Sequence, residues 1–262
     1  MDDLLKIMEI LRGENGCPWD REQTHQTIRG NFIEETYEAV EAIDKQDSVL
    51  LREELGDVLL QVVFHARMEE EAGSFAFGDV VHDICSKLII RHPHIFADVT
   101  VQNTDEVLAN WEAIKNSVKG TKTQTERLRA VPAVYPALMR SQKVASRAAK
   151  AGLDYRNPED AWKDLESEIS ELKEAIAEEN VAHIEEEMGD LLFSVVNVSR
   201  HMNVDSEYAL TRSCEKFIDR FEQVELLAQQ KGIALNEADP QTLDDLWKQA
   251  KKLMNCKETC ES

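Results

Sequence analysis

Glu35, Glu38, Glu54 and Asp57 return 133 positions later as Glu168, Glu171, Glu187 and Asp190. Residues three apart share one face of a helix, so each quartet reads as two acid pairs on two helices. The 15 residues between Glu38 and Glu54 let one helix end, turn and come back antiparallel. Carboxylates that share a gap repel one another unless hard, oxygen-seeking divalent cations lie among them. Neither quartet contains histidine or cysteine, which favours Mg²⁺, with Mn²⁺ as a substitute, over zinc, copper or iron. A single Glu-x-x-Glu is what any acid-rich amphipathic helix produces. Two in register inside a repeat are a candidate site: from Glu34 to Arg67, set against Ser167 to Arg200, 13 of 34 positions are identical, including all four acids, Gly56/Gly189 and Arg67/Arg200.

Basic residues repeat in the same order. Lys87 and Arg91 correspond to Lys216 and Arg220, and Trp111 and Lys115 to Trp247 and Lys251. Lysine and arginine one turn apart can hold a polyphosphate, the lysine as a point charge and the arginine as a fork. A tryptophan one turn from a lysine can stack on a base while the lysine contacts phosphate. Each pair alone is an ordinary solvated helix face; following an acid cluster twice, they read as ligand groups.

The elements that must position these groups are helical nearly throughout. Leu4, Ile7, Met8 and Leu11 form one apolar stripe; Phe32, Ile33, Tyr37, Val40 and Ile43 a second; Leu55, Val58, Leu59, Val62 and Val63 a third. The expected fold is all-α. Gly13, Gly16 and Pro18 break the first helix, with an ordered turn at Cys17-Pro18-Trp19-Asp20. A helix should end near His92-Pro93, because the residue before proline disfavours helix. The Lys/Thr-rich run from Lys115 to Thr125, with Pro132 and Pro136, marks a linker, and Leu138 to Ala151 reads as a helix closed by Gly152. The expected division is residues 1–120, a linker and connecting helix at 121–152, and a second helical domain at 153–262. Gly56 and Gly189 each sit inside a helical pattern at a cost of about 1 kcal/mol; their expected role is to let the paired helices approach closely enough for four carboxylates to share metal.

With 51 acidic against 30 basic residues the formal charge is −21, which argues against a nucleic-acid partner. A phosphate-bearing ligand should be small and accompanied by metal. Cys17, Cys85, Cys214, Cys256 and Cys260 complete no zinc site and read as free thiols. The N-terminus lacks signal-peptide features and no apolar run approaches about 20 residues, so a cytoplasmic protein without membrane association is expected.

The acid pattern, together with Gly16-Cys17-Pro18-Trp19-Asp20, the run from Arg91 to Asp98, Pro136-Ala137-Leu138-Met139-Arg140, Glu186-Glu187-Met188-Gly189-Asp190 and Glu215-Lys216-Phe217, resembles the MazG family of nucleoside triphosphate pyrophosphohydrolases in its two-domain bacterial form. The likeness covers essentially the whole chain. It implies tandem all-α helical-bundle units and Mg²⁺-dependent hydrolysis of NTPs and dNTPs to the monophosphate and pyrophosphate, with little base selectivity, in a homodimer. By position, Glu168, Glu171, Glu187 and Asp190 would hold Mg²⁺, Lys216 and Arg220 would grip phosphate, and Trp247 and Lys251 would complete the nucleotide pocket. Glu168 or Glu186 would accept the proton of the attacking water. Glu35, Glu38, Glu54, Asp57, Lys87, Arg91, Trp111 and Lys115 are the corresponding candidates in the first half. One departure is that Ser167 stands where the first motif has Glu34.

Two other readings share these residues. One is a narrow-specificity relative, dUTPase-like or a phosphoribosyl-ATP pyrophosphohydrolase; the other is a non-catalytic metal-binding helical scaffold, which has no need of paired basic residues. Of the two halves, the second is expected to carry most turnover. Arg91 is followed directly by His92-Pro93, whereas Lys216 and Arg220 sit in a stretch free of proline and glycine.

Overall fold

A computed structural model describes residues 1–104, 106–107, 110–111, 114 and 123–258, with the side chains of 256–258 excepted. Lys115 and Cys260 lie outside the described residues, as does the side chain of Cys256. Every regular element among the described residues is a helix. The chain forms two compact units, Met1–Gly120 and Thr121–Ser262.

The first unit contains α1 (Asp2–Arg12), α2 (Pro18–Glu22), α3 (Arg29–Asp44), α4 (Ser48–Glu71), α5 (Phe77–Arg91) and α6 (Pro93–Phe96). The segment Cys17-Pro18-Trp19-Asp20 is not a bare turn but the start of α2, with Pro18 in the first turn, where a missing N–H removes no helical bond. α3 and α4 form the antiparallel hairpin that the acid spacing demands. Gln46 turns the corner at φ 55°, and the Asp47 carboxylate caps α4 by accepting from the amides of Val49 and Leu50, worth about 1 kcal/mol. Met8, Ile28, Val63, Phe64 and Met68 form the core. Arg12 lies at its edge, 2.8 Å from Glu71 and with its guanidinium 5.3 Å from the Phe64 ring centre. The α3 stripe faces outward instead of into this core. Ile33, Tyr37, Val40 and Ile43 are exposed while Ala39 and Ala42 are buried, because small side chains are what allow two helices to approach closely.

The second unit contains α7 (Gln124–Arg129), α8 (Ala137–Lys150), α9 (Pro158–Ala177), α10 (Val181–His201), α11 (Ser206–Lys231) and α12 (Pro240–Glu258). The α9–α10 hairpin repeats the α3–α4 one down to its corner. Glu179 takes φ 55° and Asn180 caps α10 through the His183 amide. Ala161, Leu165, Leu172, Ala175 and Val196 are buried in it. α8, expected as a connecting helix, packs on α10 and α11 within this unit. Its Gln142 accepts from the Ser206 amide, and the Glu207 carboxylate accepts from the Met139 amide at 3.1 Å. α11 and α12 make a second hairpin around Val224, Ala228, Leu246 and Ala250, and α11 ends at Gly232, whose φ of 66° favours glycine.

Candidate active site

Both acid clusters form, each from three residues. Glu35, Glu38 and Glu54 present one oxygen apiece within 4.8 Å of one another, and so do Glu168, Glu171 and Glu187. In each, the first two come from the earlier helix of the hairpin and the third is the buried glutamate of the later one. Glu54 is 9% exposed and Glu187 8%. The sequence placed four carboxylates in one gap; the fourth, Asp57 or Asp190, stands outside the tight group. Its side chain is one methylene shorter and leaves the later helix three positions on. It is still felt: burial raises the Glu35 carboxyl above its usual range, followed by the charges of Asp57, Glu38 and Glu34. Burial likewise raises Glu54 and Glu168, with neighbouring acids adding to it. Buried Oε2 of Glu187 has no hydrogen-bond partner among the described residues. Clustered oxygens, raised carboxyls and an orphaned acceptor together describe a donor set short of positive charge.

The second cluster has neighbours that the first lacks. Asp164, one turn before Glu168, accepts from the Tyr155 hydroxyl at 2.7 Å and from Ser194 Oγ at 2.8 Å through the same oxygen. Burial, then the bond to Asp164, pushes the Tyr155 hydroxyl up to about 12. His183 lies 3.0 Å from Glu178 and 3.2 Å from Glu187, so its imidazole is raised, chiefly by the bond to Glu178. Ser167 donates to Glu171 Oε1 at 2.9 Å, which turns the departure from Glu34 into support for the second glutamate. Asp164 and His183 were missed from sequence because the comparison of halves hides them: 133 positions earlier stand Asn31 and Leu50. The four-residue spacing of Asp164 from Glu168, and of His183 from Glu187, was the available signal.

The basic and aromatic candidates are brought together in both units. The guanidinium of Arg220 is 5.0 Å from the centre of the Trp247 ring and that of Arg91 is 4.9 Å from Trp111, a cation–π arrangement. Phe217 lies 5.0 Å from Trp247 on the same hairpin. Lys87, Lys216 and Lys251 are exposed. α5 does end at Arg91, with His92 beyond it, whereas Lys216 and Arg220 lie inside α11. Within the second unit α10, which carries Glu187 and Asp190, packs on α11, which carries Lys216 and Arg220. α9, which carries Glu168 and Glu171, has no substantial packing against α11 or α12. The expected role of the glycines also fails: a Cβ on Gly56 or Gly189 would meet nothing within 4 Å, since both face away from the hairpin partner, whose approach is set by alanines.

Known proteins resemble this chain in sequence. The MazG nucleotide pyrophosphohydrolase domain matches residues 23–96 and again residues 156–225. The nucleoside triphosphate pyrophosphohydrolase/pyrophosphatase MazG of Thermotoga maritima is 43% identical over 250 residues, covering 95% of each chain. The nucleoside triphosphate pyrophosphohydrolase of Escherichia coli K12 is 43% identical over 257 residues, 96% of this chain and 97% of that one. That of Mycolicibacterium smegmatis is 42% identical over 153 residues, 58% of this chain and 46% of its own.

Proposed function

The chain belongs to the MazG family of nucleotide pyrophosphohydrolases, and from that premise we propose that it hydrolyses nucleoside triphosphates, ribo and deoxy, to the monophosphate and pyrophosphate with little base selectivity. The observation that carries the proposal is the duplicated carboxylate triad with its orphaned Glu187 oxygen. An all-oxygen donor set fits a hard divalent cation, Mg²⁺ with Mn²⁺ as substitute. Glu168, Glu171 and Glu187 would hold it, with Asp190 at the margin. Bound there, the cation supplies the positive charge that a triphosphate and an attacking water both need.

The remaining work falls to side chains. Glu168, its carboxyl raised by burial and by acids around it, accepts the proton of the water as it attacks the α-phosphate; Glu186, exposed on α10, is the other acceptor in reach of the motif. Lys216 and Arg220 neutralise the departing pyrophosphate, with Arg220 held by Trp247 and Lys251 one turn further along α12. The separation of these residues from α9, and apolar residues such as Val40 and Ile218 lying 46% and 57% exposed, support a homodimer in which a second copy completes the site. Free Cys17, Cys85 and Cys214 support a reducing, cytoplasmic setting; among the described residues no helix is long and apolar enough to cross a membrane.

Chromatography of the products from several NTPs tests the proposal. NMP and pyrophosphate are expected, whereas ADP and orthophosphate from ATP would move the attack to the γ-phosphate and overturn it. Turnover of one base alone would favour the narrow-specificity relative.

A further inference from the structure

Asp164 receives two hydroxyls on one carboxylate oxygen, that of Tyr155 at 2.7 Å and that of Ser194 at 2.8 Å. Three segments meet there: Asp164 belongs to α9, Ser194 to α10, and Tyr155 to the stretch that enters α9. Ser194 is 3% exposed. The Tyr155 hydroxyl, pushed up to about 12 by burial and then by this bond, keeps its proton at neutral pH and so remains a donor. Tyr155 is anchored in turn. Its neighbour Asp154 accepts from Arg200 at 3.1 Å and lies 3.1 Å from His201 Nε2, both at the end of α10, and His201 meets the Tyr155 ring edge-on with the ring centres 6.0 Å apart.

Hydrogen bonds, not side-chain volume, hold this corner. A cavity of about 470 Å³ lies between α8, α10 and the stretch entering α9, with Tyr155, Val144 and Phe193 among its walls, so packing leaves the position of Tyr155 open on that side. Along α9 the three-way contact is one turn from Glu168, and along α10 it is one turn from Asp190. The first hairpin has no counterpart. There, 133 positions earlier than Asp164 and Ser194, stand Asn31 and Gln61, and the buried Oε1 of Gln61 has no hydrogen-bond partner among the described residues.

We propose that Asp164 is a positioning residue for the second triad: by gripping Ser194 and Tyr155 it fixes α9 against α10 and holds Glu168 within reach of Glu187. Asp164 is not itself one of the three clustered donors. Charged carboxylates that share a gap push their helices apart, and Mg²⁺ tolerates little departure from octahedral geometry. A bonded contact one turn away resists that repulsion before metal arrives and sets the donor spacing for it. The inference rests on the proposed function for the use of the triad as a metal site, not for the reaction carried out there.

Mn²⁺ binding to the full chain, followed by electron paramagnetic resonance of the free ion, tests this without turnover. Glu35→Gln with Glu38→Gln serves as the background, so that the second triad alone is read. In it, Ser194→Ala combined with Tyr155→Phe, which removes two oxygens and no charge, is expected to raise the Mn²⁺ Kd by about tenfold. Asp164→Leu should do the same, whereas Asp164→Asn should stay near the parent, because an amide oxygen still accepts both bonds. With the first triad intact, Ser194→Ala combined with Tyr155→Phe should raise the Mg²⁺ concentration for half-maximal turnover and largely keep kcat at saturating Mg²⁺. Ser194→Ala alone carries the test if the combined variant loses helix content. An unchanged Kd in the folded variant, even with a lower Tm, would reduce the contact to a structural one and overturn the proposal. So would Asp164→Asn binding as weakly as Asp164→Leu, which would assign the effect to charge. Products of ADP and orthophosphate from ATP would remove the pyrophosphohydrolase reading and leave the Mn²⁺ result standing.

Discussion

Arg220 lies with its guanidinium 5.0 Å from the centre of the Trp247 ring, and Arg91 occupies the same position over Trp111 at 4.9 Å. Two motifs far apart in the sequence thus converge on one contact, made twice. One face of the ring is taken by an arginine, so under the proposed function the ring would hold in place the charge that meets phosphate.

Trp247→Ala should therefore raise KM for ATP, CTP and GTP to the same extent, since the interaction lost is with phosphate. Trp247→Phe should retain most of the affinity because the ring face survives. Initial rates across the three substrates check this, and a loss confined to one base would return the ring to a stacking role.

Glu171 belongs to the tight triad and Asp190 does not. Glu171→Gln should remove most turnover, on the order of a hundredfold, while Asp190→Asn should lose less at saturating Mg²⁺. Circular dichroism should show both variants as helical as the parent. Equal losses would mean that Asp190 joins the triad when metal is bound.

The division of labour between the units is tested by Glu38→Gln against Glu171→Gln, compared by initial rate on one NTP. The continuous α11 behind Lys216 and Arg220, and Ser167 bonded to Glu171, favour the second unit. The larger loss is expected from Glu171→Gln; the opposite order reverses the assignment.

Glu35, Glu54 and Glu168 have carboxyls raised by burial and then by neighbouring acids. A carboxyl with a folded pKa above its unfolded value contributes stability below the unfolded pKa and loses it as pH rises through the folded one. The metal-free protein should thus weaken as pH rises above about 4.5, and Mg²⁺ should restore it only where the acids are charged. Thermal unfolding with and without Mg²⁺ should show a rise in Tm of a few degrees at neutral pH and none near pH 4. Glu35→Gln should raise the metal-free Tm at neutral pH. An equal Mg²⁺ response at both pH values is the result that would sink this account.

Asp154 behaves in the opposite sense. The Arg200 guanidinium bonds it and holds its carboxyl below the usual range, so its contribution is present above the unfolded pKa and disappears as pH falls through the folded one. Asp154→Asn should lower Tm at neutral pH by about 2–4 °C and leave the value at about pH 2 nearly unchanged. A deficit of equal size at both pH values would point to packing rather than charge.

The sequence by itself determined the helices, the two acid-bearing hairpins and the identity of the clustering glutamates, because a three-residue spacing and a 133-residue repeat are local and periodic signals. Even the corner residues obey it, with Gln46 and Glu179 at the same left-handed angle. Tertiary structure alone decided which acids meet and what surrounds them. Side-chain length and departure angle leave Asp57 and Asp190 outside the triads. Alanines, not Gly56 and Gly189, set the approach of the paired helices, so the large apolar residues of α3 turn outward. Arg220 finds Trp247 only because α11 and α12 fold back on each other. Tyr155 reaches Asp164 across a loop that no repeat comparison covers, and Phe193 and Asn197 line a cavity where Leu60 and Phe64 fill a core. Periodicity reports which face of a helix a residue occupies. What lies opposite that face is a matter of packing between segments distant in the chain, and two copies of one pattern can therefore enclose different chemistry.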